Sequence, residues 1–229
     1  MKKKILLSLL LIVNYNLFSQ KKHEKKFYNY FDEIIGQKNT DLSYGTLFKN
    51  KYKKIDGNHN YYEVDEFRIG QVSYRNQFFS NVLMKYDLFD DNLIIYITQG
   101  YENFPIKLHS HLVEKFKINN TDFIYNTDFG FLETLLLKKE IKLYKKYIKK
   151  KHKKLDKNFS YYKFEKDIFY LINFKNKNYV INKVKDIFKV FPDKKKQIKK
   201  FNQKNSFIRK DNFGLFIKNL IESLNPKNQ

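Results

Sequence analysis

The stretch Phe67–Ile97, FRIGQVSYRNQFFSNVLMKYDLFDDNLIIYI, decides how the rest of the chain is read. It divides into apolar runs at Gln71–Tyr74, Phe78–Leu88 and Leu93–Thr98, punctuated by Gly70, Arg75-Asn76-Gln77 and Asp90-Asp91-Asn92. In the middle run Phe78, Val82, Met84, Tyr86 and Leu88 share one parity with Ser80, while Phe79 and Leu83 alternate with Asn81, Lys85 and Asp87. A period of two marks a strand with one face on a core and the other towards water. Asn and Asp tolerate left-handed backbone and bond the amides of tight turns, so the punctuation predicts successive antiparallel hairpins.

Downstream, Gly100–Pro105 reads as a loop. Lys107–Ile118 alternates around Leu108, Leu112 and Phe116, and Asn119-Asn120 turns into Asp122–Tyr125 and then Phe131–Leu137. Glu140–Lys154 is ambiguous by period alone. Leu137, Ile141, Tyr144 and Ile148 make a helical stripe, yet Ile141–Ile148 also suits the second arm of a long hairpin. Phe159–Phe164, Asp167–Phe174 and Tyr179–Ile181 are strand-like. Phe191-Pro192-Asp193 then opens a helix with Ile198 and Phe201 buried, because Pro is tolerated in a first turn. In the last element Phe213, Phe216, Ile217, Leu220, Ile221 and Leu224 form one apolar face, with Asp211 as cap and Pro226 as stop.

Upstream, Lys2, Lys3 and Lys4 precede the apolar run Ile5–Val13, and Ser19-Gln20 follows. A basic start, a short apolar segment and a small residue predict a signal peptide over 1–19 and an exported chain, in the periplasm, at the outer surface or secreted. The run falls short of the ~20 residues that span a bilayer, and no transmembrane span is expected after cleavage. Residues 20–60 read as a short helix, with Phe27, Tyr30, Phe31 and Ile34 at helical spacing, followed by a strand or irregular arm. Residues 61–190 are then an antiparallel sheet region, and 191–225 a helical pair packed on the same domain. The fold class expected is α+β, with antiparallel β-hairpins forming a curved sheet followed by two C-terminal helices.

The formal charge of +22 invites a polyanion, but only three of the 46 basic residues are Arg. Ala is absent, Gly and Pro are scarce, and Asn, Ile, Tyr, Phe and Lys dominate, the signature of A/T-rich codons. Lys is a point charge, poorer than Arg at planar phosphate recognition, so a specific nucleic-acid site is not expected. With no Cys, neither a disulfide framework nor a thiol nucleophile is available.

His109 and His111, at i and i+2, would share one face of a strand, but a zinc site needs a third ligand and Glu114 falls on the opposite parity. Asp87, Asp90, Asp91 and Asn92 cluster oxygen ligands without the spacing of an EF-hand loop, and a polar hairpin turn accounts for them. No G-x-S-x-G elbow or phosphate-cradling glycine loop is present. No catalytic, cofactor or metal residue is therefore assigned. The densest basic run interleaves lysines with Tyr144 and Tyr147, and it assigns polyanion binding to Lys145, Lys146, Lys149, Lys150, Lys151, Lys153 and Lys154. For an exported chain the matching partner is an anionic envelope glycan or a lipid surface. The bland alternative is a solvated lysine face enriched by codon bias.

Gly70, Val72, Tyr74, Gln77, Phe79, Val82, Met84-Lys85-Tyr86-Asp87 and Asp90, followed by Phe131, Glu133, Leu135 and Leu143-Tyr144-Lys145-Lys146, resemble a family of uncharacterised secreted proteins from Bacteroidota. Its members pair a G-x-V-x-Y … V-x-x-K-Y-D sheet with a later F-x-E-x-L … L-Y-K-K stretch. The likeness extends through Tyr179–Pro192 and the terminal helix. It implies that Glu140–Lys149 is a strand, and it carries no activity, so it assigns no functional residue. The functional expectation is a non-enzymatic, exported module that binds or supports something in the cell envelope. The alternative is a secreted hydrolase whose carboxylates or histidines meet only in three dimensions.

Overall fold

The computed structural model describes residues 40–53, 55, 57–99, 102–156 and 159–224. The signal-peptide segment and the helix expected around Phe27–Ile34 lie outside them. After a 3-10 turn at Asp41–Ser43, the strands are β1 (Gly45–Leu47), β2 (Arg68–Tyr74), β3 (Gln77–Asp87), β4 (Asn92–Gln99), β5 (Glu102–Leu108), β6 (Val113–Ile118), β7 (Thr121–Asn126), β8 (Gly130–Leu137), β9 (Ile141–Leu155), β10 (Ser160–Phe174) and β11 (Lys177–Ile181). They form one antiparallel sheet in the order β1-β5-β4-β3-β2-β6-β7-β8-β9-β10-β11. A meander therefore runs outward from β2 to β5. The chain then returns to the free side of β2 and meanders away through β11.

Turn chemistry sets the register. Arg75 (φ 52°) and Asn76 (φ 63°) form a two-residue left-handed turn between β2 and β3, as do Lys175 (φ 49°) and Asn176 (φ 61°) between β10 and β11. Asn81, at φ 56°, carries a β-bulge: Gly70 faces Val82, but Val72 faces Phe79. The bulge switches parity, so Phe79, Val82, Met84 and Tyr86 are buried, and the expectation that Phe78 shares the core face is corrected.

The Gly100–Pro105 loop is also corrected, because β5 runs straight through Pro105. That residue's carbonyl accepts the Phe48 N–H at 2.8 Å, on the β1 side. The N and C=O of one strand residue point the same way, so the missing N–H falls outside the β4 ladder. The alternation over Lys107–Ile118 is broken at Ser110–Leu112 by a 3-10 turn. Glu140–Lys154 is resolved in favour of the strand, as β9.

The sheet curls on itself. Rings from distant strands meet on the concave side: Tyr86 of β3 packs on Phe116, Phe123 and Phe131 at 5.3, 5.3 and 5.6 Å, and Tyr62 bridges Phe123 and Tyr147 at 5.3 and 5.1 Å. The β3–β4 turn reaches β9, five strands along the sheet order, where the Lys149 N–H donates to Leu88 O at 3.2 Å.

A second core lies under the helices α1 (Val184–Val190), α2 (Lys195–Lys204), α3 (Ser206–Asp211) and α4 (Phe213–Leu224). Ile187, Val190, Ile198, Phe216, Ile217, Leu220 and Ile221 pack on Ile141, Leu143, Ile172 and Ile181 of the sheet. The fold is α+β with the sheet dominant. Four α-helices replace the expected pair, and the first begins at Val184, inside the region read as sheet. Its start is set by Asp186, whose carboxylate accepts the N–H groups of Asn182 and Lys183, both at 3.0 Å. Asn212 rather than Asp211 caps α4, accepting the Leu215 N–H at 3.0 Å.

Candidate polyanion-binding arm

The strands β9 and β10 pair over all fifteen residues, from Ile141–Phe174 to Leu155–Ser160. β8 covers β9 only at Lys142–Lys145, and β11 covers β10 only at Tyr170–Phe174. The remainder, Lys146 to Phe169, runs on as a two-stranded arm. The free edge of β10 is lined by the segment that precedes β2. The Tyr162 N–H donates to Lys53 O at 2.9 Å, and Asn58 exchanges two bonds with the Phe164 backbone at 2.6 and 2.9 Å.

This architecture sorts the seven lysines. Lys145 is half-buried beside Glu133 (3.8 Å) and lies over the Tyr147 ring; burial pulls its ammonium below the ordinary range. Lys146, 5 % exposed, is 2.8 Å from Asp91 and donates to Phe131 O; burial lowers its pKa too, against the pull of Asp91. Lys149 donates to His59 O. Lys151 lies 4.4, 4.7 and 4.8 Å from the ring centres of Tyr52, Phe89 and Tyr162. Lys150 is exposed and bonded to Asp167 at 2.6 Å, a contact that raises the lysine's pKa and lowers the aspartate's. Lys153 and Lys154, exposed at the far end, meet no acidic partner among the described residues.

Register adds residues that the run itself did not contain. Cross-strand partners share a face, so Tyr161 stands beside Lys154, Lys163 beside His152 and Tyr162 beside Lys153. Lys163 is exposed, while His152 is 3.4 Å from Glu165. The end of the arm thus carries Lys154, Lys163 and Tyr161 on one face and Lys153 with Tyr162 on the other, where Tyr162 packs against Tyr52 at 5.7 Å. A short polar break between the Phe159–Phe164 run and the preceding lysines was the only sequence signal for this pairing.

The other expected clusters are placed differently. His109 precedes the 3-10 turn and His111 lies in it, their rings 6.0 Å apart, so they do not share a strand face. Among the described residues no group of three or more His, Asp or Glu is arranged to hold a metal ion. Asp87 is 1 % exposed and closes the β3–β4 turn: it accepts from the N–H groups of Phe89 (2.9 Å) and Asp90 (3.2 Å) and from Asn60 (2.5 Å). Burial raises its pKa to about 6, opposed by those amide bonds. Asp91 holds Lys146 and accepts from the Tyr86 hydroxyl at 2.6 Å.

An aromatic-walled cavity of about 370 Å³, which the sequence did not reveal, is lined by Phe48, Tyr61, Phe67, Tyr96 and Pro105. Inside it Lys85 is fixed by Asp65 at 2.7 Å and by the rings of Tyr61 and Phe67. Asp87 lines neither this cavity nor the adjoining one around Glu63, Asp65 and Glu66.

No family model matches the chain, and no curated protein or solved structure is similar to it.

Proposed function

We propose that the protein is an exported, non-enzymatic module of the cell envelope that binds an acidic polysaccharide through the end of the β9–β10 arm, as a member of the secreted Bacteroidota family its motifs resemble. The observation that carries this reading is the division of labour among the lysines. Lys145, Lys146, Lys149 and Lys151 hold the arm to the sheet, whereas Lys153, Lys154 and Lys163 stand at its end, Lys154 and Lys163 on the face of Tyr161. Ammonium groups supply charge without geometric fit, and tyrosine faces supply a surface on which sugar rings stack. Among the described residues the carboxyl with a raised pKa, on Asp87, is sealed in a turn, which favours binding over acid–base hydrolysis.

Binding of this kind is screened over about 8 Å at physiological salt. Retention on an immobilised acidic polysaccharide should fall steeply as salt rises, while a neutral polysaccharide retains nothing. Salt-independent retention contradicts the reading. Export is tested separately by N-terminal sequencing of protein from the native host. A chain starting at or near Gln20 supports it, and an intact Met1 contradicts it.

A further inference from the structure

The helical layer carries a second basic surface, next to an exposed phenylalanine. No Asp or Glu occurs between Asp193 and Asp211, a span that holds α2, α3 and eight basic residues. In α2 Ile198 is the buried residue, and Phe201 packs inward on Phe216 at 5.5 Å; Lys195, Lys196, Lys199, Lys200 and Lys204 are all exposed. None of these five lysines is ion-paired among the described residues.

The helix α3 follows after the single residue Asn205 and is tied back to α2 by Arg209, which donates to the Asn202 side chain at 2.9 Å. In α3 Phe207 is 80 % exposed. Within α3 helical spacing sets Lys210 beside it, three positions on, and the exposed lysines of α2 end at Lys204, three positions before it.

A bare phenylalanine following a helix of exposed lysines matches one surface chemistry: a bilayer with anionic headgroups, where the ammonium groups stay at phosphate level and the ring enters the acyl boundary. We propose that the α2–α3 surface docks the protein on an anionic lipid bilayer, with Phe207 as the inserted residue. The inference is independent of the arm. An acidic glycan would use the lysines but offers no apolar phase for the ring.

The chain contains no Trp, so Phe207→Trp creates a single fluorescent reporter on this surface. With mixed phosphatidylglycerol–phosphatidylcholine vesicles, its emission should shift to the blue and be quenched by brominated acyl chains. Pure phosphatidylcholine vesicles should leave it unchanged. In vesicle sedimentation, replacing Lys195, Lys196, Lys199, Lys200 and Lys204 with Gln should weaken binding at least about tenfold, since one lysine near an anionic leaflet is worth roughly fivefold. Phe207→Ser should weaken it several-fold at unchanged net charge. Replacing Lys153, Lys154 and Lys163 with Gln should leave vesicle binding within about twofold, whatever it does to polysaccharide retention. All these positions are exposed, so circular dichroism spectra and melts should match wild type. A folded Phe207→Trp protein that sediments with anionic vesicles without a blue shift overturns the proposal, because its charge alone then binds. Phe207→Ser protein binding as wild type overturns it as well, as does equal binding to both vesicle types.

Discussion

Asp87 shows how a single carboxylate shapes the fold. Its backbone ends β3, and its side chain bonds the amides that turn the chain into β4 and the Asn60 amide that arrives from the preceding segment. Burial raises its pKa from the ordinary 3.8 to about 6, so the folded protein holds this proton more tightly than the unfolded chain does. The difference is absent below pH 3.8, where both states are protonated, grows as pH rises, and is complete above about 6, where the buried carboxylate is ionised. A shift of that size corresponds to a loss of about 3 kcal/mol of stability across this window. Asp87→Asn keeps an oxygen for the Phe89 and Asp90 amides and removes the ionisation. Its stability in urea should therefore lack this fall, which a wild-type-like pH profile would contradict. Asp91, in the same turn, depends on a glycine opposite. Gly130 sits at φ 69°, and the Asp91 carboxylate occupies the place its Cβ would take. The carboxylate can reach Lys146 only because that Cβ is missing.

Among the elements, the hairpins were legible because Asn and Asp punctuate apolar runs, and the terminal helix because its apolar face repeats at helical spacing. Leu220 lies fully buried in the second core, and Leu220→Asp should cost about 4 kcal/mol or more by placing an unpaired charge there. Thermal melts equal to wild type would show that α4 does not dock. Other features were hidden for physical reasons. The bulge at Asn81 inverts the alternation that a period of two assumes, and a single Asn is too common to announce it. Pro105 argued against a strand because its sequence cannot say which side of the strand its missing N–H faces. The short α1 has few turns on which to show a period, so Tyr179–Val190 looked like an extension of the sheet. The lysine run failed to sort itself for a different reason: the partners of Lys145 and Lys146, Glu133 and Asp91, come from other strands. Only the curl of the sheet separates supporting lysines from exposed ones.

For the whole molecule, exposed lysines stand at the arm end, along α2 and at scattered sites such as Lys139 and Lys185, while Lys145 and Lys146, nearest the core of the curled sheet, are paired with acidic side chains. Among the described residues no helix is long and apolar enough to cross a membrane. In the proposed function the arm end, rather than overall charge, recognises an acidic polysaccharide. The most direct test compares two folded variants of equal net charge. One replaces Lys153, Lys154 and Lys163 with Gln. The other replaces Lys139, Lys185 and Lys189, which are exposed elsewhere. Each exposed lysine contact is worth up to about 1 kcal/mol. The arm variant should therefore lose about tenfold or more in affinity for the polysaccharide by equilibrium titration, and the second variant no more than about twofold. Equal losses in the two variants would contradict the claim and leave only a uniformly basic surface.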